Sequence, residues 1–146
     1  AAAAAGAGLA TLPATAAWAR AIEAARDDPA LLVAWTACTR CQKLAAKAPG
    51  DGAFASAGDP GEDALWAALE GAAPEIDRAR ERRDFTAALA VAAGLGPVVD
   101  RFFDDVLVNA EDQDVRARRY ALVRAAADTL TRVADFSRIT HAGGAR

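Results

Sequence analysis

Methionine is missing from all 146 residues, position 1 included. Translation starts with methionine, so we expect a processed product or an excised piece, with any targeting signal upstream of it. Histidine occurs once, at His141 near the C-terminus. A nucleophile–histidine–acid set cannot be built on an imidazole so poorly placed. A Gly-x-x-x-x-Gly-Lys-Ser/Thr phosphate loop is also absent. No continuous apolar run looks long enough to span a bilayer, so no membrane partner is expected. Cysteine is limited to Cys38 and Cys41, in "CTRC". That spacing suggests redox or metal chemistry. Here it falls in mid-helix with no strand before it, and a metal would need further ligands. Two half-buried thiols in a reducing compartment fit better. Asp104 and Asp105 face water on a helical wheel and make a poor acid–base pair. No catalytic site and no cofactor are expected in this chain.

Apolar residues, many of them alanine, make up 53% of the chain and charged residues 25%, a globular balance suited to closely packed helices. The length is that of one domain. The net charge of −3 argues against nucleic acid held by bulk charge, and no DNA partner is expected. Any polyanion would have to meet a local basic patch.

The hydrophobic period is helical throughout, with no convincing strand pattern and no repeat. "AAAAAGAG" opens a low-complexity tail over 1–14. A helical domain is expected over 15–139, made of an N-terminal pair (15–48), a Gly/Pro/Ser-rich loop (49–61) and a bundle (62–139), with a fraying end at 140–146. Thr15, Asp28, Asp59 and Asp84 are read as N-caps, with Pro29 and Pro60 as first helical residues. Glu62, three residues after Asp59, resembles the end of a capping box. Gly71 with Pro74, and Gly94 and Gly96 before Pro97, read as helix breaks. The sum is an all-α bundle of about seven helices. The loop at 49–61 either divides two parts or runs within one compact unit, and the amphipathic first helices favour the second.

On the wheel after Pro97, the residues Val99, Phe102, Phe103, Val106 and Leu107 share an apolar face, while Asp100, Arg101, Asp104 and Asp105 face water. In the last helix, Val115, Leu122, Val123, Ala126, Leu130 and Val133 form the apolar stripe, and Arg119 falls inside it. A charge there must be paired or lie at an interface. An ion pair with Asp105, Glu111 or Asp112 is expected, the alternative being a groove mouth that holds a phosphate or base. Arg116, Tyr120 and Arg124, at i, i+4 and i+8, lie on the flank, and Arg118 points away. Two guanidinium groups around a ring suit single-stranded nucleotides, with the base stacked and phosphates on the arginines. The same spacing also describes an ordinary solvated helix edge. Arg78 and Arg82 in "DRARERRD" read as a solvated face that an external anion would relieve.

The segment "RDFTAALAVAAGLGPVVDRFFDDVLVNAEDQDVRARRYALV…RVADFS" resembles the C-terminal helical domain of the bacterial-type glycyl-tRNA synthetase beta subunit, a DALR-like anticodon-binding domain. The family pattern "D-[YF]-x-x-A-L", "V-D-x-F-F-D-x-V-[ML]-V", an acidic turn and "R-x-N-R-L-x-L-L" is met at Asp84, Phe85, Ala88, Leu89, Val99, Asp100, Phe102, Phe103, Asp104, Val106, Val108, Glu111, Asp112, Arg116, Arg119 and Leu122. "ADFS" follows at Ala134, Asp135, Phe136 and Ser137. "ACTRCQKLAAK" is similar to the family's "A-x-K-R-V-x-N-I-L-x-K", with Arg40 and Lys47 matching, Thr39 in place of the lysine and Lys43 in place of the asparagine. Arg118 stands where the family has Asn, and Tyr120 where it has Leu. The resemblance implies an RNA-binding face on Arg40, Lys43, Lys47, Arg116, Tyr120 and Arg124. It implies glycine tRNA as ligand and a synthetase alpha subunit, or alpha part of a fused chain, as partner. ATP and magnesium would serve the whole enzyme, away from this domain. The bacterial cytoplasm, a chloroplast or a mitochondrial matrix is the implied compartment. The alternative is a protein-interaction module that kept the bundle and lost RNA binding, suggested by the acidic charge and by Thr39.

Overall fold

The computed structural model describes residues 20–25, 27–48, 50 and 52–133. The expected cap at Thr15, the "ADFS" segment and the C-terminal end lie outside them. Residues 20–24 are helical. Four longer helices follow: α1 (Pro29–Ala45), α2 (Pro60–Glu81), α3 (Phe85–Asp105) and α4 (Gln113–Thr131). No strand occurs among the described residues.

All four longer helices start on an aspartate whose carboxylate takes up orphan N–H groups of the first turn. Asp28 accepts from Ala30 at 2.9 Å, Asp59 from Glu62 at 3.0 Å and Asp84 from Ala87 at 3.0 Å. Asp112 accepts from Asp114 at 2.9 Å and Val115 at 3.1 Å. Pro29 and Pro60 occupy the first helical position, where no N–H is needed.

Two expected breaks do not occur, which is why the helices are fewer and longer than the sequence suggests. α2 runs through Gly71 and Pro74, and α3 runs through Gly94, Gly96 and Pro97. An internal proline removes one ladder hydrogen bond. In α2 the buried stripe Leu65, Leu69, Ala72, Ile76 and Ala79 continues in register across that point, and its burial outweighs the lost bond. Gly96 serves packing instead of termination: a Cβ there would meet Val33 Cγ1 at 2.4 Å, so glycine lets α1 and α3 approach closely. Uninterrupted, α3 has 21 residues and is long and apolar enough to cross a bilayer by length and composition, which corrects the expectation that no such segment exists. Here its apolar face, including Phe85, Leu89, Leu95, Val99 and Phe102, packs into the protein core.

α3 packs against α1 and α2, and α4 packs against the same two helices. Helices from both sides of the 49–61 loop therefore share one core, with Leu31, Leu65, Ile76, Val99, Leu122 and Leu130 fully buried. The loop is tied to that core by Phe54, which is buried and stacks on Trp66 with ring centroids 5.1 Å apart. Leu107 departs from its expected apolar face and is 68% exposed, because α3 ends at Asp105 and Val106 is extended. α2 ends in a Schellman arrangement: Asp84 N–H donates to the Ala79 carbonyl at 2.8 Å and Arg83 N–H to the Arg80 carbonyl at 3.0 Å. Arg83 takes the left-handed position, φ 57°, where glycine is the usual residue.

Candidate nucleic-acid interface

Arg40 and Lys43 share one face of α1 at i and i+3, and Lys47 follows in the turn just past the end of the helix at Ala45. All three are exposed. The Arg40 guanidinium lies over the Phe103 ring, 4.2 Å from its centroid, and pairs with Asp100 at 3.3 Å. Both members of that pair are about half exposed or more, so the pair contributes little to stability. Its effect is to hold the Arg40 cation against a half-buried ring. Lys43 and Lys47 form no ion pair with any described residue and remain free point charges.

The expected flank on α4 does not assemble as an open stacking platform. Tyr120 is buried, 5% exposed, inside the core cluster, because the α4 stripe turns that ring inward. Arg116 folds back on the preceding turn, donating to the carbonyls of Ala110 at 2.9 Å and Glu111 at 3.4 Å. Arg124 donates to the carbonyls of Gly50 at 2.6 Å and Gly52, clamping the loop onto α4. It thereby forms one wall of a shallow pocket of about 280 Å³, lined also by Asp114, Arg118 and small residues.

Arg119 is paired, but with none of the expected partners. Its Nε donates to Glu62 Oε2 at 2.8 Å, its Nη1 to the Leu107 carbonyl at 2.8 Å and its Nη2 to Asp59 Oδ2 at 3.4 Å. Asp105 instead pairs with Arg101, and Asp112 caps its own helix. Glu111 is exposed and offers only its carbonyl, to Arg116. Arg118, expected to point away, turns to the same carboxylate. Its Nε and Nη2 grip Glu62 Oε1 and Oε2 at 2.6 and 2.9 Å, a bidentate fork. Glu62 is thus a fully buried carboxylate shared by two guanidinium groups, and its side chain does not close the capping box on Asp59. Burial acts to raise its pKa, but the hydrogen bonds from Arg118 and then Arg119 outweigh burial and hold the carboxyl below the usual carboxylate range. The same bond to Glu62 raises the pKa of Arg118. The cluster joins the start of α2, the 106–112 turn and α4 through one anion.

Glu62 was missed by sequence reasoning although a signal existed. It precedes Leu65, Leu69, Ala72, Ile76 and Ala79 at core spacing, so it occupies a stripe position. A charge in one stripe and Arg119 in another are natural partners. The cysteines are more enclosed than expected: Cys38 and Cys41 are both buried and outside any disulfide, and burial, reinforced by Cys38, pushes the Cys41 thiol up to about 12. No group of three or more His, Cys, Asp or Glu among the described residues is placed to hold a metal.

Glycine–tRNA ligase beta subunits align with this chain. That of Anaeromyxobacter dehalogenans (strain 2CP-C) is 47% identical over 81 residues, 56% of this chain and 12% of the relative. That of Thiobacillus denitrificans is 43% identical over 95 residues, 61% of this chain and 14% of the relative. That of Xanthomonas campestris pv. campestris (strain B100) is 39% identical over 99 residues, 68% of this chain and 14% of the relative. The chain therefore spans only a small part of the length of these relatives. No solved structure matches it. Residues 35–139, which hold the Arg40 face, the Glu62–Arg118–Arg119 cluster and all of α2, α3 and α4, match the DALR anticodon binding domain, and the chain belongs to that family.

Proposed function

We propose that this chain grips the anticodon end of glycine tRNA as one module of a glycine–tRNA ligase beta subunit. The observation that carries this reading is the match of residues 35–139 to an anticodon binding domain, with its exposed basic face on α1. Lys43 and Lys47 would take backbone phosphates, and Arg40, held over the Phe103 ring, would take a phosphate or stack on an unpaired base. With a net charge of −3, attraction at long range is weak and recognition depends on these local contacts.

Joining glycine to the tRNA, with ATP and magnesium, would take place elsewhere in the enzyme, in an alpha subunit or the alpha part of a fused chain. The compartment would be the bacterial cytoplasm, a chloroplast or a mitochondrial matrix. Replacing Lys43 and Lys47 together by alanine tests the face. Each lost phosphate contact lowers the slope of log affinity against log salt by about 0.7–0.9. The expected result is weaker tRNA binding with a slope shallower by about 1.5, and an unchanged circular-dichroism spectrum. Wild-type affinity and slope in the double variant would overturn the assignment of this face.

A further inference from the structure

The turn that ends α2 breaks two rules of helix stability at once. Arg83 holds φ 57°, the left-handed conformation that disfavours any side chain and is usually left to glycine. Arg78 and Arg82 stand one turn apart, at i and i+4, where like charges repel. Arg78, Arg82 and Arg83 are all exposed, and none of the three side chains has a hydrogen-bond or ion-pair partner among the described residues.

Their charged neighbours are engaged elsewhere. Arg80 donates to the Arg132 carbonyl, Arg132 pairs with Asp77 at 3.2 Å, and Asp84 caps α3. The exposed carboxylates of Glu75 and Glu81 lie on the same stretch, so three guanidinium groups leave a small local excess of positive charge in an acidic protein. A side chain kept at a strained position, beside a repelling row, marks a place where stability yields to a ligand. Guanidinium forks match the oxygens of phosphate or carboxylate. A protein partner would also need an apolar anchor at the centre of its interface. The exposed large hydrophobic residues are Leu32, Val33 and Leu107, none of them on this turn. A phosphate backbone asks for charge alone, so RNA is the ligand that fits.

This corner is separate from the basic face on α1. Arg83 lies just before α3, whereas Arg40 sits over Phe103 near the other end of that helix. Phe85 and Phe103 are about 27 Å apart at a rise of ~1.5 Å per residue, so no single phosphate reaches both places.

We propose that Arg78, Arg82 and Arg83 form a second phosphate-binding site, which takes the RNA backbone at the far end of the domain from Arg40, Lys43 and Lys47. The proposal rests on the tRNA-binding reading above. The site reads no base. It contributes salt-dependent affinity and holds the long axis of the domain along the RNA, while the bound anion screens the repulsion between Arg78 and Arg82.

The test is binding of the full chain to whole glycine tRNA across a range of salt concentrations, with thermal unfolding measured alongside. Arg83→Gly removes the strain and the charge together. It is expected to melt higher than the wild type and yet to bind about threefold more weakly, with a slope of log affinity against log salt shallower by about 0.7–0.9. Arg83→Lys, which keeps the charge, should keep the slope. Adding Arg78→Gln and Arg82→Gln to Arg83→Gly should bring the loss of slope to about 2–3. Combined with Lys43→Ala and Lys47→Ala, the losses should add, because the two sites hold different phosphates. If the wild type binds glycine tRNA and the triple arginine variant keeps its slope, the second site is overturned and the tRNA-binding reading stands. If the wild type shows no salt-dependent binding to the tRNA, both are overturned.

Discussion

Glu62 joins three parts of the fold through one buried carboxylate, so Glu62→Ala should be among the most damaging substitutions in the protein. The carboxylate is fully buried, while the Arg118 and Arg119 side chains retain 20% and 16% exposure. Removing one member of a buried ion cluster typically costs about 3–5 kcal/mol, because the surviving charge is left without a partner. Residual access of water to both guanidinium groups moves the expectation to the lower end, about 3 kcal/mol. For a domain near this size each kcal/mol shifts the melting temperature by about 2–4 °C, which gives a fall of roughly 10 °C by calorimetry or thermal circular dichroism. pH adds an independent check. The folded carboxyl is held below its ordinary range, so its contribution is complete above the unfolded pKa of about 4.3 and is lost as pH falls through the folded value. Wild-type stability should decline in that acid window, and Glu62→Gln should flatten the decline while lowering stability at neutral pH. A fall of less than about 2 °C in Glu62→Ala, or an unchanged acid limb in Glu62→Gln, would refute the reasoning.

Two further outcomes follow from single residues. Arg83 sits at φ 57° in the left-handed position that ends α2, where a side chain costs about 1–2 kcal/mol relative to glycine, so Arg83→Gly should raise the melting temperature by about 2–8 °C. Cys41 is buried with its thiol pushed up to about 12, so both cysteines should resist a thiol reagent at neutral pH and react fully only in denaturant. Rapid labelling of the folded protein would contradict the enclosed position of α1.

The helical class, three of the four aspartate caps and most of the buried stripes were legible because each rests on local chemistry or a fixed period, whereas Asp112 was read as an ion-pair partner and not as a cap. Pro74 and Gly96 misled because a break signal is local while the force that overrides it is tertiary. A stripe continues across Pro74, and Val33 needs the space beside Gly96. Arg119 announced itself as a charge in an apolar stripe, but its partner lies 57 residues away along the chain, beyond the reach of wheel arguments that searched only the neighbouring turn. Tyr120 and Arg118 stand on opposite edges of the stripe, and both turn inward, Tyr120 into the core cluster and Arg118 to the Glu62 carboxylate of another helix, which a wheel of α4 alone does not show. Arg40, Lys43 and Lys47 were singled out by the resemblance to the family pattern, whereas the contact of Arg40 with the Phe103 ring became visible only when α1 met α3.

Anticodon recognition is tested most directly by measuring binding of the chain to glycine tRNA and to the same tRNA with a changed anticodon, each at two salt concentrations. The account predicts tighter binding to the native anticodon at both salts, over a salt-dependent background set by the phosphate contacts. Equal binding to the two tRNAs, however strong, would contradict it and leave this domain a grip on the backbone alone.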